Sequence, residues 1–207
     1  MRPHELRWCG PGAWAESAPG SSHAGLHPLL AGRWSPTRFD AAHRVSDGDV
    51  GLILEAARWA PSAGNSQPWA FIVGTNETDV HLRLTKHLAG SARPWAADAS
   101  VLIANLAHRY VEDTAWEYSE FSLYDLGQAV AHMTIQAQAL GLFARQFRAF
   151  DRDALHADFA VPEHWEISTM IAIGRPAGAA PSESMRDAAG SPARQRRALE
   201  DLLWPRD

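Results

Sequence analysis

Residues 33–39, Arg-Trp-Ser-Pro-Thr-Arg-Phe, combine side chains that can hold a phosphate beside a planar ring. Arginine offers forked hydrogen-bond donors to a phosphate, and the aromatic rings of this segment can stack on a planar ligand. Taken alone, the segment is explained better by a surface turn with two solvated arginines. It therefore points to a ligand only in combination with other segments of similar chemistry.

Residues 60–69, Ala-Pro-Ser-Ala-Gly-Asn-Ser-Gln-Pro-Trp, are a second candidate binding segment. Pro61 is expected to end a helix, and a strand is expected after Pro68, so the sequence predicts a rigid loop of small residues. Asn65 and Gln67 each carry a donor and an acceptor, which matches the alternating edge of a flavin or pyrimidine ring. The alternative is an ordinary polar connection between a helix and a strand.

A third segment, Arg194-Gln195-Arg196-Arg197, lies near the end of the chain. Ser191-Pro192 is typical of a helix start, and we expect this helix to run through Arg194 to Leu203. Arginines beside a helix N-terminus can hold a dianionic phosphate. A solvated basic helix face explains the same pattern equally well.

The first two segments must be positioned by the elements around them. A helix is expected after Ser46, which with Asp49 approximates a capping box, and strands are expected at residues 69–73 and 101–104. Residues 101–104 are apolar on both faces, which indicates a central strand of a sheet. A polar-faced helix is expected at residues 77–88.

The longest helix is expected at residues 122–140, where apolar residues spaced three and four apart form one seam that Gly141 ends. His132 lies off that seam, which favours a structural role over a catalytic one. A helix at residues 151–159 and a strand at residues 167–173 follow. The pattern predicts an α+β fold with more helices than strands.

Composition excludes several functional classes. The net charge is −5 without an extended basic run, which argues against binding to nucleic acid or to a membrane surface. No stretch approaches the roughly 20 apolar residues of a membrane span. Cys9 is the only cysteine, which fits a cytoplasmic protein without a disulfide, and His23 and His27 lack the further ligands of a metal site, so we expect no metal.

Taken together, these segments resemble the nitroreductase family. Residues 33–39 resemble its opening R-x-S-x-[RK]-x-F pattern, and residues 60–69 match its A-P-S-x-x-N-x-Q-P-W pattern almost throughout. Asp125-Leu126-Gly127 and Leu140-Gly141-Leu142 resemble its long central helix and the exit from it, and Gly174-Arg175-Pro176 resembles the end of its last core strand. The resemblance covers roughly residues 28–204.

The resemblance implies an α+β sandwich with a mixed central sheet flanked by helices, in an interlocked homodimer. Residues 1–28 would form an irregular N-terminal arm, either disordered or laid over a partner subunit, and residues 29–207 would form the domain that binds flavin mononucleotide (FMN). The implied cofactor-binding residues are Arg33, Trp34, Ser35 and Thr37, then Ser62, Ala63, Asn65 and Gln67, then Phe147, Arg148 and Ala149, and finally Arg194 and Arg196. Some of the second group would reach the flavin of the neighbouring subunit.

The family's chemistry implies hydride transfer in two halves, from NAD(P)H to flavin N5 and from N5 to an electron-poor small molecule. No residue of the chain is expected to act as the catalytic group, because the flavin carries the chemistry. Trp116, Tyr118, Phe121 and Tyr124 would line the substrate pocket, where planar acceptors such as nitroaromatics and quinones would stack. An aromatic-rich dimer contact explains this cluster equally well.

Thr37 departs from the family pattern, which usually has a basic residue at this place. Arg38 could substitute for it if the backbone shifted by one residue. Two other functions remain open from the sequence. One is a flavin-dependent dehydrogenase or dehalogenase on the same scaffold, and the other is a non-catalytic flavin-binding protein.

Overall fold

The computed structural model describes residues 25–177, Arg197 and residues 199–204, in two compact units that comprise residues 1–177 and 178–207. In the second unit, Leu199–Leu202 form a 3-10 turn, which is common where a helix ends. The helix start expected at Ser191-Pro192 and nearly all of the expected arm lie outside the described residues, so both stay predictions. The elements below belong to the first unit.

Six helices and four strands make up the described part of the first unit. The helices are α1 Pro28–Ala31, α2 Asp47–Arg58, α3 Asp79–Lys86, α4 Arg93–Ala96, α5 Ser122–Ala139 and α6 Arg152–Asp158. The strands are β1 Trp69–Thr75, β2 Val101–His108, β3 Phe143–Phe147 and β4 Trp165–Gly174. None of the helices in the described ranges is both long and apolar enough to cross a membrane.

Local signals set the ends of the helices. The Ser46 side chain accepts a hydrogen bond from Asp49 N at 3.1 Å, so the expected cap of α2 is confirmed. Gly141 has a φ of 75°, the left-handed conformation that ends α5. The expected helix at residues 77–88 is shorter, because Glu77 has a φ of 70° and Thr78 caps α3 instead.

The sheet has the order β1-β2-β4-β3, and every hydrogen-bonded pair is antiparallel. β2 precedes α5 in the chain and β3 follows it, and the two strands run in the same direction. In the sheet, however, β4 lies between them. The expected α+β sandwich is therefore confirmed, whereas the mixed sheet is wrong for the described strands. The physical reason is the insertion of β4, which separates the two parallel strands.

The central strand β2 supplies both hydrophobic cores, as its apolar residues predicted. Val101 and Ile103 pack with α2 and α5 on one face of the sheet. Leu102 and Ala104 pack with α3, α4 and α6 on the other face. Because successive side chains of β2 point to opposite faces of the sheet, helices pack on both faces. The fold therefore has three layers, with the sheet in the middle.

The strand β3 was not expected from the sequence. Its residues, Phe-Ala-Arg-Gln-Phe, carry two polar side chains, and such a short edge strand lacks the apolar run that marked β2. It forms because Phe143 to Phe147 pair with Gly174 to Met170 of β4. β3 borders the candidate site described below.

Gly74→Ala is expected to destabilise the protein by about 1–3 kcal/mol or more. A Cβ at Gly74 would lie 2.6 Å from backbone atoms of His81, so α3 would have to move away from β1. Urea unfolding measures the loss. Gly51→Ala is the matched control, because a Cβ there meets nothing within 4 Å and alanine favours the helix by roughly 1 kcal/mol. Equal unfolding free energies for Gly74→Ala and the wild type would contradict the tight packing of α3.

Candidate active site

The segment of residues 33–39 lies along β3 and the end of β4. The Trp34 ring packs against Phe143 of β3, with 5.3 Å between the ring centroids. Phe39 is buried and forms a β-bridge with Pro176, just beyond β4. The resemblance places this segment at a cofactor phosphate, and the fold thus holds it against the β3 edge of the sheet.

Arg145 of β3 connects this segment with the candidate residues 147–149. Its Nη1 donates to the Pro36 carbonyl oxygen at 3.2 Å, and its guanidinium lies 4.1 Å from the Trp95 ring centroid. The Trp95 ring packs edge-on against Phe147 at 4.9 Å. The structure therefore brings residues 33–36 and Phe147 together through Arg145 and Trp95, neither of which the sequence had singled out as a site residue.

Residues 147–149 continue from β3 with their backbone partly engaged. Phe147 and Ala149 are half-buried, whereas the Arg148 side chain is exposed. The Ala149 carbonyl oxygen accepts from Ala89 N at 3.0 Å, and the Arg148 carbonyl oxygen accepts from Phe150 N at 3.0 Å. These contacts hold the turn after β3 beside the segment that precedes α4.

Arginines near β3 lack carboxylate partners within the part of the chain that the structure describes. These arginines are Arg33, Arg38, Arg93, Arg145, Arg148 and Arg175. The other arginines that the structure describes in the first unit pair with carboxylates, namely Arg44, Arg58, Arg83, Arg109 and Arg152. Because their charge is not neutralised locally, the β3 edge carries a positive potential suited to an anionic ligand.

The loop of residues 61–68 is rigid and exposes its amides. Gly64, Asn65 and Gln67 all have positive φ, at 59°, 56° and 47°. The Ser62 hydroxyl accepts from Gln67 N at 3.0 Å, and Gln67 Nε2 donates to Asn65 Oδ1 at 3.2 Å. Left-handed conformations are rare in residues other than glycine and occur mostly where the surroundings enforce them, often at functional sites.

Asp125 anchors this loop to α5. The carboxylate is buried, with 2% relative exposure, and its Oδ2 accepts a hydrogen bond from Ala63 N at 3.0 Å. Asp125 belongs to the Asp-Leu-Gly motif of the sequence but was not expected in the site. An acidic residue on the buried side of an apolar helix was the signal that could have identified it.

The loop of residues 61–68 and the helix α1 contact opposite ends of α5. The loop is attached at Asp125 in the first turn, whereas α1 reaches the last turns, where a Cβ at Gly32 would lie 3.0 Å from Gln138 Nε2. Positions 125 and 138 are separated by about 20 Å along a helix, at 1.5 Å per residue. The described contacts of one subunit therefore do not bring the loop to residues 33–37.

The segment before α5 is held to the sheet by a stack of rings. His108 at the end of β2 lies between Tyr118 at 3.9 Å and Trp165 at 4.8 Å, with both rings nearly parallel to it. Trp116, Phe121 and Tyr124 are exposed. Only Tyr118 of the four expected pocket residues thus has a ring partner on the sheet.

A cavity of about 940 Å³ lies beside this segment. Its lining includes Tyr110, His164 and the acidic residues Glu112, Asp113 and Glu163, and none of the four expected pocket aromatics. The acidic lining disfavours an anionic occupant. The pocket formed by Trp116, Tyr118, Phe121 and Tyr124 stays a prediction.

The melting temperature is expected to fall as the pH is lowered from 7 to 5. Burial is the largest of the effects that lower the pKa values of His43, His81 and His108 below their ordinary value of 6.5. The unfolded chain therefore takes up protons below about pH 6.5 that the native state does not bind, and stability is lost until the native pKa values are passed. Ordinary carboxyl groups titrate mainly below this range.

Thermal unfolding measured from pH 8 to pH 5 tests this dependence. His108→Phe keeps a flat ring between Tyr118 and Trp165 but removes one titrating group, so its melting temperature should fall less steeply with pH. A wild-type melting temperature that is constant over this range would contradict the three lowered pKa values.

The structure describes some of the other residues predicted from the sequence and not others. Thr37 is exposed, and Arg33 Nη1 lies 3.5 Å from the Ser35 hydroxyl. Arg194 and Arg196 lie outside the described residues, so their expected contact with a phosphate stays a prediction. His132 is exposed on α5, with Nδ1 3.3 Å from the Ala56 carbonyl oxygen, which agrees with a structural role.

Comparisons with known proteins agree with this architecture. A sequence model of the nitroreductase family matches residues 30–102. A protein of Archaeoglobus fulgidus named as an NADH dehydrogenase/NAD(P)H nitroreductase is 28% identical over 143 residues, which cover 67% of this chain and 79% of that protein.

Solved structures show the same fold. An oxidoreductase containing FMN matches with a TM-score of 0.76 and 26% identity, over 92% of this chain and 96% of its own. A nitroreductase from Desulfovibrio desulfuricans in complex with FMN matches with a TM-score of 0.67 and 29% identity, over 86% of this chain and 96% of its own. The sequence motifs, the fold and these relatives therefore agree that the chain is similar to the nitroreductase family.

Proposed function

We propose that this protein is an FMN-dependent NAD(P)H oxidoreductase that reduces an electron-poor small molecule. When bound, FMN supplies the hydride chemistry, from NAD(P)H to N5 and from N5 to a nitroaromatic, a quinone or an activated carbonyl or alkene. The chain's own residues bind and orient the cofactor, and they control which molecules reach it.

The observation that carries the proposal is the arginine-rich edge at β3. Arg33 and Arg148 lie in segments that the resemblance assigns to the cofactor, Arg145 contacts Pro36 beside them, and none of the three makes an ion pair among the described residues. A phosphate would neutralise this charge with charge-assisted hydrogen bonds. Trp34, Trp95 and Phe147 supply the aromatic surface that a planar ring needs. The residues present therefore fit FMN.

The position of the loop that carries Asn65 and Gln67 supports a homodimer. Asp125 fixes this loop at the first turn of α5, whereas α1 packs at its last turns, and no described contact within one subunit joins the loop to residues 33–37. A second copy can supply the missing half. Exposed apolar side chains on α2 and α5 support such a contact, with Trp59 at 72% and Tyr124 at 68% exposure.

The protein's part in the reaction is positioning and exclusion of water. The rigid loop would hold the amides of Asn65 and Gln67 at the edge of the ring, and the aromatic residues would cover its face. Glu112, Asp113 and Glu117 make the segment before α5 acidic, which favours neutral or cationic acceptors over anionic ones. The single cysteine supports a cytoplasmic location, which stays a prediction.

The visible spectrum before and after anaerobic addition of NADH or NADPH tests the proposal. We expect a yellow protein with one FMN per subunit, bleached by one of the two donors and reoxidised by a nitroaromatic or a quinone. A colourless protein that FMN does not reconstitute would overturn the assignment. Bound FMN that neither donor bleaches would instead favour a non-catalytic flavin-binding protein, or a dehydrogenase or dehalogenase that uses another substrate.

Light scattering on the purified holoprotein tests the shared site. We expect a dimer that releases flavin when it dissociates, since each site would contain residues of both subunits. A stable monomer that retains FMN would contradict this arrangement.

A further inference from the structure

We infer that Arg145 supplies the positive charge beside the flavin that Thr37 does not supply. The inference rests on the proposed function, since it concerns the redox properties of the bound cofactor. The resemblance calls for a cation at position 37, and Thr37 carries only a hydroxyl group on an exposed residue. Two arginines could fill this role, Arg38 and Arg145.

The backbone around Arg38 excludes the one-residue shift that Arg38 would need. The Arg38 carbonyl oxygen accepts from Ala177 N at 3.1 Å, and Asp40 N donates to the Arg175 carbonyl oxygen at 2.9 Å. Phe39, between them, has 3% relative exposure and packs in the core. Because neighbouring side chains of an extended segment point to opposite sides, a shift by one residue would turn Phe39 out and bury Arg38.

Arg145 reaches the same place from β3 without any such shift. Its Nη1 lies 3.2 Å from the carbonyl oxygen of Pro36, the residue before Thr37. Its guanidinium stacks on Trp95, whose ring contacts Phe147, the first of the candidate residues 147–149. The charge therefore lies between the two segments that the family places beside its flavin.

The described surroundings of Arg145 do not neutralise its charge. Arg145 is half-buried, and no carboxylate pairs with it among the residues that the structure describes. The aromatic face of Trp95 holds the guanidinium without neutralising it. The hydrogen bond to Pro36 fixes the distance between the cation and the segment that carries Thr37.

Reduction of a flavin leaves negative charge at its N1–O2 edge. A nearby cation stabilises that form more than the neutral oxidised ring, so it raises the reduction potential. Arg145 thus tunes the cofactor by charge and positions residues 33–37 by its hydrogen bond. Both roles concern the flavin and not the reacting atoms of the substrate.

Anaerobic redox titration of five variants tests the inference. Arg145→Gln should weaken binding of reduced FMN at least tenfold more than binding of oxidised FMN, which lowers the midpoint potential by about 30 mV. Arg145→Lys retains the charge and should stay close to the wild type. Lys86→Gln removes one exposed charge on α3 and should leave the potential unchanged. Thr37→Lys combined with Arg145→Gln should restore the wild-type potential.

An unchanged potential in Arg145→Gln would overturn the inference. The inference would also be overturned if Thr37→Lys alone strengthened binding of reduced FMN tenfold relative to oxidised FMN. That result would mean that the wild-type protein has no cation beside the flavin at this place. That variant keeps Arg145, so it decides the question even if Arg145→Gln does not fold. Wild-type protein that binds no FMN would defeat the proposed function itself, a result that is seen before any variant is titrated.

Discussion

Arg33→Ala is expected to weaken FMN binding by about one to two orders of magnitude while leaving riboflavin binding nearly unchanged. A charge-assisted hydrogen bond to a phosphate contributes roughly 1.5–3 kcal/mol, and 1.4 kcal/mol corresponds to tenfold in affinity. Riboflavin has the same ring and ribityl chain but no phosphate. Fluorescence titration of the apoprotein with both ligands measures the difference.

Arg44→Ala is the control for this experiment. Arg44 is half-exposed and pairs with Glu77, so its removal changes the net charge equally but takes nothing from the β3 edge. It should leave both affinities at the wild-type level. Equal losses of FMN and riboflavin binding in Arg33→Ala would mean that Arg33 does not contact the phosphate, and that the arginine-rich edge has another purpose.

Asp125→Ala is expected to lower kcat/KM for acceptor reduction by about 100-fold. The buried carboxylate holds Ala63 N at 3.0 Å, and without it the loop that carries Asn65 and Gln67 loses its attachment to α5. A displacement of about 1 Å in a positioning group can reduce the rate on this scale. The loss should appear in kcat/KM and also in faster hydrogen exchange of residues 62–67.

Asp125→Asn separates the attachment from general effects on the fold. The asparagine keeps the size of the side chain and one acceptor oxygen, so its activity should lie between those of the wild type and Asp125→Ala. Asp47→Ala removes an exposed carboxylate in the first turn of α2 and should leave loop exchange unchanged. Full activity in a folded Asp125→Ala variant would show that the loop is held by other contacts. Faster exchange without any loss of activity would show that the loop does not serve the reaction.

Helices α2 and α5 could be predicted because their ends depend on near neighbours, whereas the short helices α1 and α4 were not expected. Ser46 caps α2 by accepting a hydrogen bond from Asp49 N, three residues later in the chain. Pro61 prevents α2 from continuing, and Gly141 ends α5 with a positive φ. The central position of β2 followed from apolar residues on both of its faces. Each of these signals acts within a few residues, so the sequence states it directly.

The candidate site could be predicted less completely. The sequence shows which residue types could bind a ligand, but it does not show which residues contact one another. The arginines and aromatic residues of positions 33–39 suggested a ligand, yet Arg145, which lies among them in space, belongs to an unexpected strand. Pro36 and Arg145 are 109 positions apart, and Ala63 and Asp125 are 62 apart. No local pattern in the sequence reports contacts over such distances.

By itself, then, the sequence indicated the longer helices, the central strand and the segments that resemble the cofactor-binding motifs of the nitroreductase family. Only the tertiary structure decided that β4 lies between β2 and β3, that Arg145 joins residues 33–36 to Phe147, and that Asp125 holds the loop at the far end of α5. The physical reason is that caps, turns and alternation act between neighbours along the chain. Strand order and the contacts of a buried charge depend on which distant surfaces pack together.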